Sequence, residues 1–241
     1  MFLSKRHSTF FSAGLALVFL GHFTGKMPQY LTGVSPYHSA AIHFEDRVFR
    51  NIQKNREKEK LRLDRFLLET QKKRRQFEFR YRKRVKEKIL EVLANYKTGL
   101  PYEYLNHIPE WIIVESRNYG YDPMFLTALI ITESSFNNWA ESHRGALGLM
   151  QILPTTGQAL ARETRLTWRG KPTLYDPETN IALGTYYLNK LLGRYGDLHL
   201  ALEAYNWGPS KLDQVLKNGL KPTRYSEKVL EIYQMIRFEP I

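Results

Sequence analysis

The chain has 241 residues with 36 Lys+Arg against 24 Asp+Glu, a formal net charge of +12, and 43% hydrophobic residues, enough to bury a sizeable core. It contains no cysteine, which excludes disulfides and thiolate metal sites within it and argues against lipid attachment through an N-terminal cysteine. The basic excess is uneven: residues 1–97 hold 22 Lys+Arg against 9 Asp+Glu, whereas residues 98–241 hold 14 against 15.

Residues 1–25 read as an export segment. Lys5 and Arg6 precede the apolar run Phe10 to Leu20, and no charged residue occurs from His7 to Gly25. No small-residue cleavage pattern follows Leu20 closely, so both a signal peptide and a retained signal anchor fit. In the second case residues 7–25 would meet the inner membrane. Residues 26–43, with Gly, Pro, Ser and His and no apolar period, read as a linker.

Residues 44–100 read as a basic helical stalk. Phe77, Tyr81, Val85, Ile89 and Leu93 recur at i+4, which predicts a long amphipathic helix, and Lys97-Thr98-Gly99-Leu100-Pro101 predicts its stop. If residues 44–97 were wholly helical they would extend on the order of 80 Å. A solvated stalk or short coiled coil accounts for this composition. Contact with a polyanion is the sharper alternative. Phe77, Phe79 and Tyr81 are explained by helical packing, and no nucleic-acid motif is present, so no specific nucleic acid is expected as a partner. No feature signals an oligomeric state.

From residue 101 to residue 241 the pattern is short helices joined by tight loops, a mainly α domain. Helices are predicted over Ile108 to Tyr119, from Asp122-Pro123 onward, from Pro154 to Leu160, from Asp176-Pro177 to near Gly193, from Asp197 to Gly208-Pro209, near Lys211 to Lys217 and near Ser226 to Arg237. Leu166 to Pro172 reads as a loop or minimal hairpin. The seven His form no cluster with metal-ligand spacing, and neither a metal nor a cofactor is expected.

Chemistry concentrates between Asp122 and Gln151. Glu133 shares a helical stripe with Leu126, Leu129 and Ile130 near a helix C-terminus. Apolar surroundings and the negative end of the helix dipole both favour the neutral acid, the form a general acid needs. The alternative is a carboxylate turned outward among Ser134, Ser135, Asn137 and Asn138. Gly145 to Gln151 follows as a glycine-interrupted segment, with Met150 a candidate for a groove floor and Gln151 for bonding an amide or hydroxyl. Tyr205 can orient Glu133 or a sugar group, or belong to the core, and Asn206 can fix the local backbone.

Glu133-Ser134, Gly148-Leu149-Met150-Gln151 and Ala204-Tyr205-Asn206 together resemble the three motifs of Slt-type (family 1) lytic transglycosylases, over roughly residues 104–237. Ser142 falls where several members carry a groove serine. Pro222-Thr223-Arg224-Tyr225 resembles the last family motif, with Pro222 in place of its Glu, one residue less of spacing and Ser226 in place of Val. The resemblance implies a lysozyme-like catalytic domain over residues 101–241 in an exported, periplasmic or cell-envelope enzyme. It further implies Glu133 as the catalytic residue, with Ser134, Ser142, Gly148, Leu149, Met150, Gln151, Tyr205, Asn206 and Tyr225 binding peptidoglycan glycan strands. The implied reaction is cleavage of the bond between N-acetylmuramic acid and N-acetylglucosamine without water, forming 1,6-anhydro ends. A water-using muramidase and a non-catalytic wall-binding scaffold are the alternatives.

Overall fold

A computed structural model describes residues 36–238, with side chains from residue 42 onward. The expected export segment, residues 1–25, and the first part of the expected linker lie outside the described residues. Among the described residues the structure is mainly α, as the sequence predicts, with nine α-helices and one 3-10 segment. Extended pairing among them is limited to two isolated bridges, Glu141 with Leu147 and Leu147 with Ile152. None of their helices is long and apolar enough to cross a membrane.

The chain divides into two units, residues 1–65 and 66–241. Helix α1 (Pro36–Leu93) contributes to both. It begins at Pro36, inside the stretch expected to be a linker, and no Pro or Gly interrupts it afterwards. In the first unit every side chain from residue 42 to residue 65 is exposed. In the second unit exposure continues to residue 84, after which Ile89, Val92 and Leu93 enter the core. The core therefore starts before residue 101. The helix also stops at Leu93 rather than near Lys97. The segment beyond it is drawn onto residues 138 and 139, where the Thr98 carbonyl accepts from the Asn138 N–H at 3.0 Å and the Gly99 carbonyl from Trp139 Nε1 at 2.9 Å.

After the short α2 (Tyr102–Leu105) come α3 (Ile108–Tyr119) and α4 (Pro123–Ser134). Asp122 caps α4 by accepting from the Met124 N–H at 2.8 Å, with Pro123 at the first position. Every residue from Pro123 to Ile131 is buried. The helix is thus enclosed on all sides rather than on one stripe, because α3 packs against it on one side and α9 (Arg224–Phe238) on another. α4 and α9 are joined at both ends. Asp122 accepts from the Tyr233 hydroxyl at 3.0 Å and pairs with Arg237 at 3.3 Å, while Glu133, at the far end of α4, bonds Tyr225 at the start of α9.

α5 (Pro154–Thr164) is followed by a loop and a 3-10 segment (Lys171–Tyr175), not a hairpin. Asp176 caps α6 (Pro177–Tyr195) through the Thr179 N–H at 2.8 Å, and Asp197 caps α7 (Leu198–Trp207) through the Leu200 N–H at 2.9 Å. α8 (Pro209–Lys217) completes the set.

Asn180 on α6 fixes the irregular turn between α4 and α5. It is fully buried. Its Nδ2 donates to the carbonyls of Leu147 at 3.0 Å and Leu174 at 2.8 Å, and its Oδ1 accepts from the Met150 N–H at 2.7 Å. Gly148 lies against it with φ +79°, where a Cβ would fall 2.3 Å from the Leu174 carbonyl oxygen. Asn180→Ala would strand two buried backbone groups, the Met150 N–H and the Leu174 carbonyl, each worth about 1–3 kcal/mol when left unpaired, and would leave the Leu147 carbonyl only its bond from the Ile152 N–H. We expect a loss of more than about 3 kcal/mol in urea unfolding without a change in secondary structure before the transition. A loss below about 1 kcal/mol would show that the turn holds itself.

Candidate active site

Glu133 sits in the last turn of α4, where the buried helix meets the surface. Its side chain keeps partial solvent contact yet is packed closely by protein. Desolvation pushes its carboxyl up from 4.5 to about 7, against the opposing pull of the Tyr225 hydroxyl, which donates to Oε1, and of the Lys228 charge. The carboxyl is therefore part protonated near neutral pH. Burial together with the Glu133 charge pushes the Tyr225 hydroxyl well up, so it keeps its proton and can donate it to the carboxyl.

A cavity of about 590 Å³ opens beside this carboxyl, lined by Glu133, Ser142, Gln151, Tyr205, Asn206 and Trp207 among others. Of the expected site residues, five are thus brought together here. The turn that supplies Ser142 and Gln151 needs left-handed backbone at Gly145, Gly148 and Gln151. Ser142 Oγ accepts from the Ala146 N–H at 3.0 Å, which closes the turn. Gln151 Nε2 donates to the carbonyls of Ala140 and Gly148 at 3.1 and 3.0 Å, so its amide nitrogen is committed to the fold.

The other expected groove residues lie behind the lining. Met150 is not a groove floor: its side chain is fully buried, in a space that a Cβ on Gly184 would fill 2.6 Å from the sulfur. Leu149 is equally buried, and Gly148 is closed in by Leu174 and Asn180. Their shared property is a backbone that bends tightly under the cavity. Ser134 donates to the Leu149 carbonyl at 2.8 Å and to the Ile130 carbonyl at 3.2 Å, which ties the end of α4 to that bend. Tyr205 does not bond Glu133. Its hydroxyl donates to the Met150 carbonyl at 2.8 Å, and Tyr225 holds the acid instead. Trp139 donates from Nε1 to the Gly99 carbonyl, and its ring lies tilted against Tyr175 with centroids 5.2 Å apart. Trp207 does line the cavity, with Lys211 over its ring at 4.9 Å.

Among the described residues that line this cavity, Glu133 is the sole carboxylate. Glu141 pairs with Lys171 at 3.6 Å. Three contributors escaped the sequence reading: Asn180, Lys228 and Glu203. The first and last stand as polar residues within apolar stretches of α6 and α7, a signal of buried function that periodicity alone does not rank.

The raised carboxyl has a consequence for stability. A group whose folded pKa exceeds its unfolded value favours the folded state at low pH, and that contribution is lost as pH rises through the folded pKa. For Glu133 the window runs from 4.5 to about 7. Glu133→Gln removes the penalty, so the variant should gain stability over wild type as pH rises, by about 2–3 kcal/mol between about pH 5 and about pH 8. Thermal unfolding of both proteins across that range checks this. A stability difference independent of pH would place the carboxyl in an ordinary solvated setting.

Residues 110–226 match the family model described as the transglycosylase SLT domain. Relatives in the same range include a transglycosylase of Enterobacteria phage PRD1, 36% identical over 122 residues that make up 51% of this chain and 41% of the relative. The membrane-bound lytic murein transglycosylase C of Shigella sonnei is 33% identical over 141 residues, 54% of this chain and 38% of the relative. The chain thus spans less than half the length of these curated relatives. Among solved structures, the lytic transglycosylase Slt of Pseudomonas aeruginosa is 27% identical with a TM-score of 0.46, over 52% of this chain and 23% of that one. The family match falls on the helices and turn that build the cavity, and residues 110–226 form a transglycosylase SLT domain.

Proposed function

We propose that this chain cleaves the β-1,4 bond between N-acetylmuramic acid and N-acetylglucosamine in peptidoglycan without consuming water, as a carbon–oxygen lyase acting on glycan strands. The observation that carries the reading is Glu133, the sole carboxylate among the described residues lining the cavity, with a carboxyl pushed up to about 7. A glycosidase that uses water ordinarily needs a second carboxylate as base or nucleophile. With one carboxylate, the nucleophile comes from the substrate.

In this mechanism the neutral Glu133 gives its proton to the glycosidic oxygen as the bond to the muramyl anomeric carbon breaks. The muramyl N-acetyl oxygen bonds that carbon from the opposite face. Glu133, now a carboxylate, takes the proton from the muramyl C6 hydroxyl. The C6 oxygen then closes on the anomeric carbon and displaces the acetyl oxygen. The product is a 1,6-anhydro ring, and the acid returns to its starting form.

Tyr225 orients the carboxyl and serves as its donor. Ser142, Gln151, Tyr205 and Asn206 meet the glycan. Gly148, Leu149, Met150 and Ser134 act through the backbone bend that sets the shape of the cavity. Residues 101–241, together with the end of α1 that packs into their core, constitute the catalytic domain, and the exposed part of α1 is a basic stalk. The reading places the protein in the periplasm or cell envelope, with residues 1–25 as the export signal or anchor.

Glu133→Gln keeps the volume and removes the proton, so turnover on purified sacculi should fall by at least the roughly 10²–10⁴-fold assigned to proton transfer, with the fold intact. Near wild-type turnover in the variant would remove Glu133 from the mechanism.

A further inference from the structure

The corner where α7 meets the start of α9 holds a carboxylate that the proposed chemistry leaves unused. Glu203, two residues before Tyr205, is 1% exposed. Its Oε1 accepts from the backbone N–H groups of Tyr225 at 2.9 Å and Ser226 at 2.8 Å. These belong to the first turn of α9, where N–H groups lack helical partners and negative charge is favoured. Its Oε2 is buried with no hydrogen-bond partner. An unpaired buried oxygen is costly, and a local Ser, Thr or Asp cap would satisfy the helix end without it.

Glu203 differs from a local cap in what it grips. It reaches from α7 to the backbone of the very residue whose hydroxyl donates to Glu133. The Glu of the last family motif is absent at Pro222, and a carboxylate arrives at this corner from another helix instead. Glu203 does not line the cavity beside Glu133; it lines an adjoining pocket with Tyr225 and Lys228 that shares Asn206 and Trp207 with that cavity. With one oxygen committed to two N–H groups and the other enclosed, it is not placed to accept a proton from a substrate there.

We infer that Glu203 is a positioning residue: by holding the backbone at Tyr225 and Ser226, it sets the Tyr225–Glu133 hydrogen bond and so the aim of the Glu133 carboxyl. The inference rests on the role proposed above for Glu133.

The groups that face Glu133 are Tyr225 and Lys228 from α9 and Tyr205 from α7, while His143 and Arg144 of the turn, Tyr187 of α6 and Lys211 of α8 line the same cavity. The Tyr225 hydrogen bond lowers the Glu133 pKa, so loosening it raises that pKa. Deleting the Glu203 charge acts through space in the opposite sense, because a neighbouring negative charge disfavours ionisation. The sign of the change therefore separates positioning from simple electrostatics.

The test is a carbon-13 titration of the Glu133 carboxyl in the whole chain, run beside the pH profile of glycan cleavage. Glu203→Met keeps the volume and loses the acceptor. Glu203→Asp keeps the charge and loses the reach. Both should raise the Glu133 midpoint by about half a pH unit or more, in the direction of Tyr225→Phe. Glu203→Asp, which keeps the charge, should add nothing further when combined with Tyr225→Phe. Glu203→Gln, whose amide oxygen can accept both N–H groups, should not raise the midpoint, which stays at the wild-type value or falls below it through the lost charge. In cleavage, Glu203→Asp should lower kcat several-fold with KM little changed, and the alkaline limb should follow the titration. A midpoint unmoved or lowered in Glu203→Asp overturns the inference, as do additive effects with Tyr225→Phe. If Glu203→Met does not fold, Glu203→Asp and Glu203→Gln decide alone. The titration needs no turnover, so an inactive wild type would sink the proposed reaction while still deciding the role of Glu203.

Discussion

The structure turns on the burial of one carboxyl at the end of an apolar helix. α4 is buried from Pro123 to Ile131, and its apolar run carries Glu133 into close protein surroundings. The shift of that carboxyl from 4.5 to about 7 amounts to a penalty on the order of 3 kcal/mol on its ionised form, a sizeable part of the stability of a small domain. Such a cost persists only where the surroundings hold the group in place. Here they do so from both ends of α4. Tyr225 bonds Glu133 at one end, and Tyr233 and Arg237 bond Asp122 at the other, all from α9.

The second constraint is the turn between α4 and α5. Its own backbone bonds, among them the paired bonds between Leu147 and Ile152, are supplemented by side chains from other elements: Asn180 from α6, Tyr205 from α7 and Ser134 from α4. Each donates to or accepts from the backbone of residues 147–150. The turn is thus tied to three helices that also bear on Glu133 or on the cavity beside it. Displacing any of them would move the acid and the residues facing it together. This division of labour explains why so many polar groups near the cavity bond backbone and not one another.

Much of the fold was legible in the residues. Asp122, Asp176 and Asp197 announced three helices, and each is a bonded cap. Gly120 and Gly196 ended helices in left-handed backbone, as glycines past a helix end do. Boundaries set by tertiary contacts were not legible. The end of α1 is decided by Asn138 and Trp139, some forty residues away, and no local signal reports that. The same holds for the site. Glu133 stood out because a carboxylate on an apolar helix is anomalous. The inward direction of Met150 and the choice of Tyr225 over Tyr205 as its partner depend on packing between helices distant in sequence.

A single acid and a substrate-derived nucleophile make one demand that no hydrolytic scheme shares: the oxygen closing the anomeric carbon comes from the sugar and not from solvent. Mass spectrometry of glycan fragments released from purified sacculi in heavy-oxygen water reads this directly. The account predicts 1,6-anhydro-muramic acid ends that carry no solvent oxygen. Reducing muramic ends labelled with the heavy isotope would contradict it and make the chain a hydrolase.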